Sequence, residues 1–424
     1  MSGTVVFLIS SLRGVNTGIG GHYRSVKEIA ALLRTSMDVR VVTWGDVPSP
    51  VLADEDGYVH VHTSGIFSPS GIRRLRTAVS SICAGSQTKP IRIVSVGWIF
   101  SVMAAWLATG RTNVSRIHLR PGGEAARFPW LVDDLPIAVF HQKDAELFTR
   151  LSPSRSLALV PGRVTRPAYD PTYLSSADRP FAKTSEDGQS IAAVSVMRVA
   201  SDKRVPIRLT YQALEAIDPR LATDTLTLVH LGTVQDETLK QYITDRPLAF
   251  PFRIVSDALS TSAGPKYLHG HDAFIGIGRG VIEAMALGIP AFIPVPAPGR
   301  APALCAITKE NWRAFLRENF THRVSWAELA TSGPVVEFNQ FLAEPELRKR
   351  LSSEVTEIYE LHLSPAASRT AWLTLLQAPQ CNRSTRLEVQ RLCYVGLLEM
   401  KRWVRLLRGR PRNVAGTKDR PCER

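Results

Sequence analysis

The chain has 424 residues, 44% of them hydrophobic, with 52 Lys and Arg against 38 Asp and Glu and a net charge of +14. That length suggests two or three domains with sizeable cores, and the basic surplus favours anionic partners such as nucleotides, phospholipid surfaces or nucleic acid. Five scattered cysteines without a Cys/His cluster argue against a disulfide framework or a zinc site, the apolar start lacks the basic region and length of a signal peptide, and no apolar run approaches the roughly 20 residues of a membrane span. A reducing cytoplasm is the expected setting.

Thr4 to Ser10 (TVVFLIS) is the apolar run of a buried strand. Gly14, Gly18, Gly20 and Gly21 punctuate the loop after it, and His22 to Leu33 has helical spacing, with Val26, Ile29, Ala30 and Leu33 on one face. Val39 to Thr43 is a second strand, so the chain opens as a Rossmann-like half. The glycines do not make the dinucleotide fingerprint G-x-G-x-x-G, although Asp46 past the second strand imitates the ribose acid of an NAD site. Asp54-Glu55-Asp56 spells D-x-D, a metal-binding signature of other folds, but no apolar strand precedes it and a solvated turn is expected.

Val59 to His62, Ile91 to Val96 and Ser115 to Leu119 continue as strands, with helices at Gly71 to Ser81 and Trp98 to Leu107. The fifth strand runs into His118, Arg120, Pro121, Gly122, Gly123 and Glu124. Open α/β sheets place ligands at the carboxyl ends of their strands, so His118 is a candidate there, against the plainer reading of a structural histidine. Pro136 to Phe140 is a strand, Lys143 to Leu151 a helix, and Leu157 to Val160 closes the half.

Arg166 to Ser190, rich in Pro, Ser, Asp and Lys, reads as an interdomain linker. Ile191 to Met197 is the first strand of a second half; Arg198 ends it and Lys203 follows five residues later. Ile207 to Ile217 is a helix, and Leu226 to Leu231 and Phe252 to Val255 are strands. Trp326 to Phe341 and Pro345 to His362 read as amphipathic helices closing the domain. This order implies two α/β halves with a cleft between them.

Residues 272–293, DAFIGIGRGVIEAMALGIPAFI, combine strand (Ala273 to Ile277), glycine turn (Gly276, Gly278, Gly280), helix (Val281 to Leu287), glycine stop (Gly288) and strand (Ala291 to Val295). Glycines let the backbone turn and let a ligand approach, and the N-terminus of a helix favours a phosphate. Arg279 adds a positive charge, and Glu283 stands one turn on, placed to accept hydrogen bonds from a sugar hydroxyl. The plainer alternative is a βαβ unit whose glycines serve only the turn.

Three stretches together resemble the retaining glycosyltransferases of family 4. GIGGHYRSVKEIAALL resembles that family's glycine-glycine loop and following helix, VSVMRVASDKRV its strand ending in Arg with Lys five residues on, and DAFIGIGRGVIEAMALGIPAFI its donor-site helix with the EAMA run. WAELATSGPVVEFNQFLAEPELRKRL resembles its closing helices, so that the likeness spans residues 1–375. The resemblance implies a GT-B fold of α/β class: two Rossmann-like domains facing across a cleft, with a C-terminal helical extension. The corresponding division is residues 1–165 as an acceptor-side domain, 166–190 as linker, 191–363 as a nucleotide-sugar donor domain, 364–380 as a helix crossing back to the first domain, and 381–424 as a basic amphipathic tail. The implied activity is transfer of a sugar from a nucleotide-diphosphate donor to a glycan or glycolipid hydroxyl, with no cofactor and no metal and with retention of configuration. Arg198 and Lys203 would hold the departing diphosphate, as would the helix start near Gly278, Arg279 and Gly280. Glu283 would accept from the ribose, Gly20 and Gly21 would let the N-terminal loop approach, and His118 would lie near the transferred sugar. The alternatives on the same fold are a sugar-nucleotide epimerase or phosphorylase, and a non-catalytic nucleotide-sugar-binding protein.

One departure stands out. The family has an earlier acid separated by seven residues from the helix acid, and counting back from Glu283 reaches Ile275. In the tail, residues 387–408 can form a basic amphipathic helix, and from Cys381 onward twelve basic residues face four acidic ones, a surplus of eight. Such a segment suits either an anionic membrane surface, through residues 387–412 on the inner face of the plasma membrane, or packing against the N-terminal domain. With only Tyr394 and Trp403 as aromatics it lacks a nucleic-acid stacking platform.

Overall fold

The computed structural model describes residues 3–11, 20–63, 69–84, 90–97, 101–102, 104–105, 114–122, 132, 135–169, 190–223, 225–257, 264–378, 390 and 393. The tail helix expected at 387–408 and most of the helix expected at 98–107 lie outside them.

The amino-side lobe is a seven-stranded parallel sheet in the order β3-β2-β1-β4-β5-β6-β7. Its strands are β1 (Thr4–Ser11), β2 (Asp38–Gly45), β3 (Tyr58–His62), β4 (Ile91–Val96), β5 (Val114–Arg120), β6 (Ile137–Val139) and β7 (Leu157–Leu159). β1 is buried along nearly its whole length, as a parallel strand covered by helices on both faces must be. Helix α1 (Gly21–Arg34) lays Tyr23, Val26, Ile29, Ala30 and Leu33 on Phe7 and Ile9 of β1. Helices α2 (Pro69–Ala84) and α3 (Gln142–Leu151) complete the described part of the lobe.

The carboxyl-side lobe is a six-stranded sheet ordered β10-β9-β8-β11-β12-β13. β8 (Ile191–Val196), β9 (Leu226–Leu231), β10 (Phe252–Val255), β11 (Ala273–Ile275) and β12 (Ala291–Val295) are parallel, and β13 (Ala303–Ala306) runs antiparallel at the edge. Its α-helices of six or more residues are α4 (Arg204–Glu215), α5 (Glu237–Thr244), α6 (Arg279–Ala286), α7 (Trp312–Arg317), α8 (Trp326–Ser332), α9 (Phe338–Ala343) and α10 (Pro345–Ile358). β13, α5 and α7 have no counterpart in the periodicity of the sequence. The single helix expected at Trp326 to Phe341 is two, because Gly333 adopts φ +151° and Pro334 follows it, breaking the ladder. The helix before Gly288 does stop there, with φ +73° at the glycine.

A last helix, α11 (Pro365–Gln377), crosses back and buries Trp372, Leu375 and Leu376 in the amino-side core, Trp372 meeting Phe7 edge-on at 6.2 Å. The two interlobe crossings lie against each other. Tyr359 Oη donates to Val164 O at 2.9 Å, and Gly162 N donates to Ser368 Oγ at 2.8 Å. A Cβ on Gly162 would fall 2.0 Å from Ser364 O, so only glycine allows the crossings to touch. The D-x-D turn is tied to α1: Lys27 pairs with Asp54 at 2.8 Å, and Arg34 pairs with Glu55.

Candidate active site

In each sheet the strand order reverses beside the first strand, between β1 and β4 and between β8 and β11. Ligands of open α/β sheets lie outside such reversal points, at the carboxyl ends of the strands. The chain leaving β8 carries Arg198 and then Lys203, and the chain leaving β11 carries the glycine turn. β8 and β11 pair with Val194 opposite Phe274, and four residues further along each chain stand Arg198 and Gly278. The predicted cations and the predicted helix start therefore follow the carboxyl ends of two neighbouring central strands of one sheet.

Arg198 donates to Gln235 Oε1 at 3.2 Å and to Asp202 Oδ2 at 3.1 Å. Lys203 closes a short 3-10 turn, Ser201–Lys203, its N–H donating to Ala200 O at 2.8 Å and its Nζ lying 3.8 Å from Asp202. Burial lowers the pKa of its ammonium; Asp202 opposes this, and the charges of Arg198 and Arg323 reinforce it. Lys203 is thus a half-buried cation among cations, a setting that an incoming anion relieves.

Gly278 caps α6 with φ +70° and ψ −132°, a region essentially restricted to glycine, and its N–H donates to Phe320 O at 2.7 Å. Gly276 and Gly280 serve a different purpose. A Cβ on either would come within 3.0 Å of the buried Phe274 ring, so these two glycines make room for a core aromatic. The expectation that Gly280 is bare so that a ligand can approach is corrected accordingly. What α6 offers a ligand is its first turn of N–H groups, which lack helical partners.

Arg279 is committed to the protein. Its Nε donates to Glu283 Oε1 at 2.7 Å, its Nη1 to Ser25 Oγ at 3.1 Å and to Arg163 O at 2.9 Å, and its Nη2 to Glu28 Oε1. Glu28 also accepts from Thr165 N. Burial by itself lowers the Arg279 pKa, but Glu283 and Glu28 outweigh it and raise it. Burial raises the Glu28 pKa against the pull of Arg279. The second and third turns of α1, through Ser25 and Glu28, and the first residue of α6 therefore meet across the cleft through one buried guanidinium. Gly21 lies at this contact, where a Cβ would sit 3.6 Å from Arg279 Cδ, while Gly20, the N-cap of α1, lies under the His22 ring. The phosphate role expected of Arg279 is corrected to an interlobe one, since its described partners already occupy Nε, Nη1 and Nη2. Nothing local in the sequence marks Glu28, Ser25 or Arg163, which lie 251, 254 and 116 residues from Arg279.

His118 is placed inside the sheet. β5 continues two residues past it, the ring is 4% exposed, and Nδ1 lies 3.1 Å from Ser95 O. Burial lowers its pKa to about 3. It is a core histidine, and the expectation that it faces the transferred sugar is corrected for that reason. The polar end of β5 is instead Arg120, whose Nε donates to Asp144 Oδ2 at 3.2 Å, with His141 Nε2 3.1 Å from the same oxygen. Among the described residues, no group of three or more His, Cys, Asp or Glu side chains is arranged to hold a metal ion.

No family model matches the chain, and no curated protein does. Solved structures do. A glycosyltransferase from Rickettsia africae superposes with a TM-score of 0.55 at 12% identity, over 89% of this chain and 98% of its own. Anabaena HepE, solved with UDP and glucose, gives 0.54 at 12% identity over 88% and 99% of the two chains. S. aureus TarM, solved with fondaparinux, alpha-GlcNAc-glycerol and UDP, gives 0.56 at 9% identity over 88% and 100%. At such identities the likeness shows the fold: two Rossmann-like domains of the GT-B type. Among the described residues, no helix is long and apolar enough to cross a membrane.

Proposed function

We propose that the protein is a nucleotide-sugar-dependent glycosyltransferase, which moves a sugar from a nucleoside diphosphate to a hydroxyl of a glycan or lipid-linked acceptor. The observation that carries this is the shared carboxyl end of neighbouring strands β8 and β11, which Arg198, Lys203 and the glycine-capped start of α6 follow. Sugar transfer from such a donor builds negative charge on the departing diphosphate. Two fixed cations and a helix N-terminus aimed at that charge lower the barrier without reorganising when it forms. Glu283, buried beside Arg279 in the second turn of α6, would accept from the ribose. Gly20 and Gly21 bring the amino-side lobe close over the donor. His118 has no part in this reading.

The neighbours solved with UDP support a uridine donor. Retention of configuration, independence of metal, and a membrane-facing tail at residues 387–412 belong to the same proposal. The test is to incubate the protein with a panel of nucleotide sugars and mixed glycan and glycolipid acceptors. Nucleoside diphosphate released only when acceptor is present supports transfer. Release of free nucleotide without acceptor, or interconversion of the donor sugar, points to an epimerase or hydrolase instead.

A further inference from the structure

The segment joining α7 to α8 has no counterpart in the sequence-level reading of the site, yet it is held in a costly conformation. Asn319 and Phe320 are consecutive non-glycine residues at φ +58° and +54°. Each left-handed residue costs on the order of 1 kcal/mol, so the surroundings must over-determine them. Phe320 is fully buried; its O accepts from Gly278 N at 2.7 Å and its N donates to Phe315 O at 2.7 Å. Asn319 Oδ1 accepts from Arg163 Nη2 at 2.7 Å, and Glu318 pairs with Lys143 of the other lobe at 2.8 Å. The strained pair therefore joins the glycine turn of α6 to the amino-side lobe.

This conformation sets Thr321, His322 and Arg323 directly after Phe320, whose carbonyl holds the glycine start of α6. Thr321 Oγ1 donates to Glu318 O at 2.8 Å and accepts from Arg323 Nε at 3.2 Å, which steers the guanidinium. Lys203 feels the charge of Arg323, and His322 feels both Arg323 and Lys203. His322 Nδ1 is buried with no protein partner. The like-charge influence of Arg323 on Lys203 is unfavourable by itself and becomes favourable when an anion sits between them.

Resting on the diphosphate site proposed above, we infer that Arg323 is a third phosphate-binding cation of this site, supplied by the 318–323 segment, with His322 beside it as a hydrogen-bonding partner of the same anion. Backbone strain at Asn319 and Phe320 fixes its position, and the bond from Gly278 to Phe320 O couples it to the helix start. The site thus has three walls: the end of β8, the start of α6 and this segment.

The probe is inorganic pyrophosphate, titrated calorimetrically into the full-length protein at low ionic strength, with inorganic phosphate as comparison. Arg323→Ala is expected to weaken pyrophosphate binding about tenfold, and Arg323→Lys less, with an unchanged thermal midpoint because Arg323 is exposed. Arg198→Ala and Lys203→Ala should weaken it as well, and Lys309→Ala, an exposed lysine paired with Glu357 elsewhere on the lobe, should not. Binding within twofold of wild type in Arg323→Ala, alongside weakened Arg198→Ala and Lys203→Ala, overturns the role of Arg323 and leaves the glycosyltransferase reading standing. Unchanged binding in Arg198→Ala and Lys203→Ala, or none by the wild type, overturns both.

Discussion

Arg279, the first residue of α6, donates to Glu28 in the middle of α1, and so one buried guanidinium joins the two lobes across the cleft. The same guanidinium holds Glu283, and the side chains of Arg279, Glu28 and Glu283 are 14%, 19% and 6% exposed. Removing one partner of such a cluster strands the others in low dielectric. Arg279→Ala is expected to destabilise the protein by about 3 kcal/mol, in the range of broken buried ion pairs. Glu28→Gln, which keeps an acceptor, should cost less, and the double variant should cost less than the two separately. Urea titration of the three variants checks this; strictly additive losses would show that the residues do not act as a pair.

The two kinds of glycine in the turn separate by substitution. Gly278 has open space around its missing Cβ but a backbone that only glycine adopts readily, so Gly278→Ala should cost about 2 kcal/mol. Gly278→Asn should recover little, because asparagine tolerates the left-handed helical region but not ψ near −132°. Gly280→Ala should cost about 1–3 kcal/mol through overpacking, its Cβ falling 2.8 Å from Phe274 Cζ, and Phe274→Leu should relieve part of that. Thermal midpoints of the four variants decide it, and a Gly278→Asn as stable as wild type would contradict the backbone argument.

The fold was legible because its parallel strands are short apolar β-branched runs punctuated by glycine and proline. Leu226–Leu231 and Ala291–Val295 end where the residues say they should. β13 was not legible: ALCA is too short to show a period, and its antiparallel pairing with β12 comes from tertiary contact. Arg198 and Lys203 were singled out by likeness to a family motif, a strand ending in Arg with Lys five residues on, and the structure does end β8 two residues before Arg198. The interlobe partners of Arg279 were not, because residues 251 apart share no local signal. His118 was misplaced because a polar residue near a strand end looks the same whether the strand stops there or, as here, runs on to Arg120. The segment at 318–323 escaped notice because strained left-handed residues other than glycine carry no sequence signature.

Stability should depend on pH through the buried histidines. His118 and His230 have pKa values lowered by burial from 6.5 to about 3 and about 4. Both are neutral when folded and protonate near 6.5 once unfolded, so the unfolded chain binds more protons below that pH. Their contribution is complete above about pH 6.5 and is lost as the pH falls towards 4, at up to about 1.4 kcal/mol per pH unit for each. Urea midpoints measured a unit apart, near pH 6.5 and 5.5, should differ by about 2 kcal/mol in stability. Equal midpoints would mean that these imidazoles reach water.

Turnover should follow the cation pair. Arg198→Ala and Lys203→Ala are each expected to lower kcat about a hundredfold with a smaller change in KM, since the charge they meet forms as the diphosphate departs. Lys203, with its lowered pKa, should also lose its contribution at a lower pH than an ordinary lysine, so that Lys203→Arg extends activity to more alkaline pH. The kcat profiles of both variants against pH test this, and an unchanged alkaline limb in Lys203→Arg would remove Lys203 from the site.

The central claim is that a diphosphate sits between Arg198, Lys203 and the start of α6. Calorimetric titration of wild type with UDP, GDP, ADP and dTDP, repeated on the Arg198→Ala/Lys203→Ala double variant, tests it most directly. The account predicts that at least one nucleoside diphosphate binds the wild type and binds the double variant at least about a hundredfold more weakly, two charge-assisted contacts being lost. Equal affinity for both proteins, or no binding to either, would contradict it.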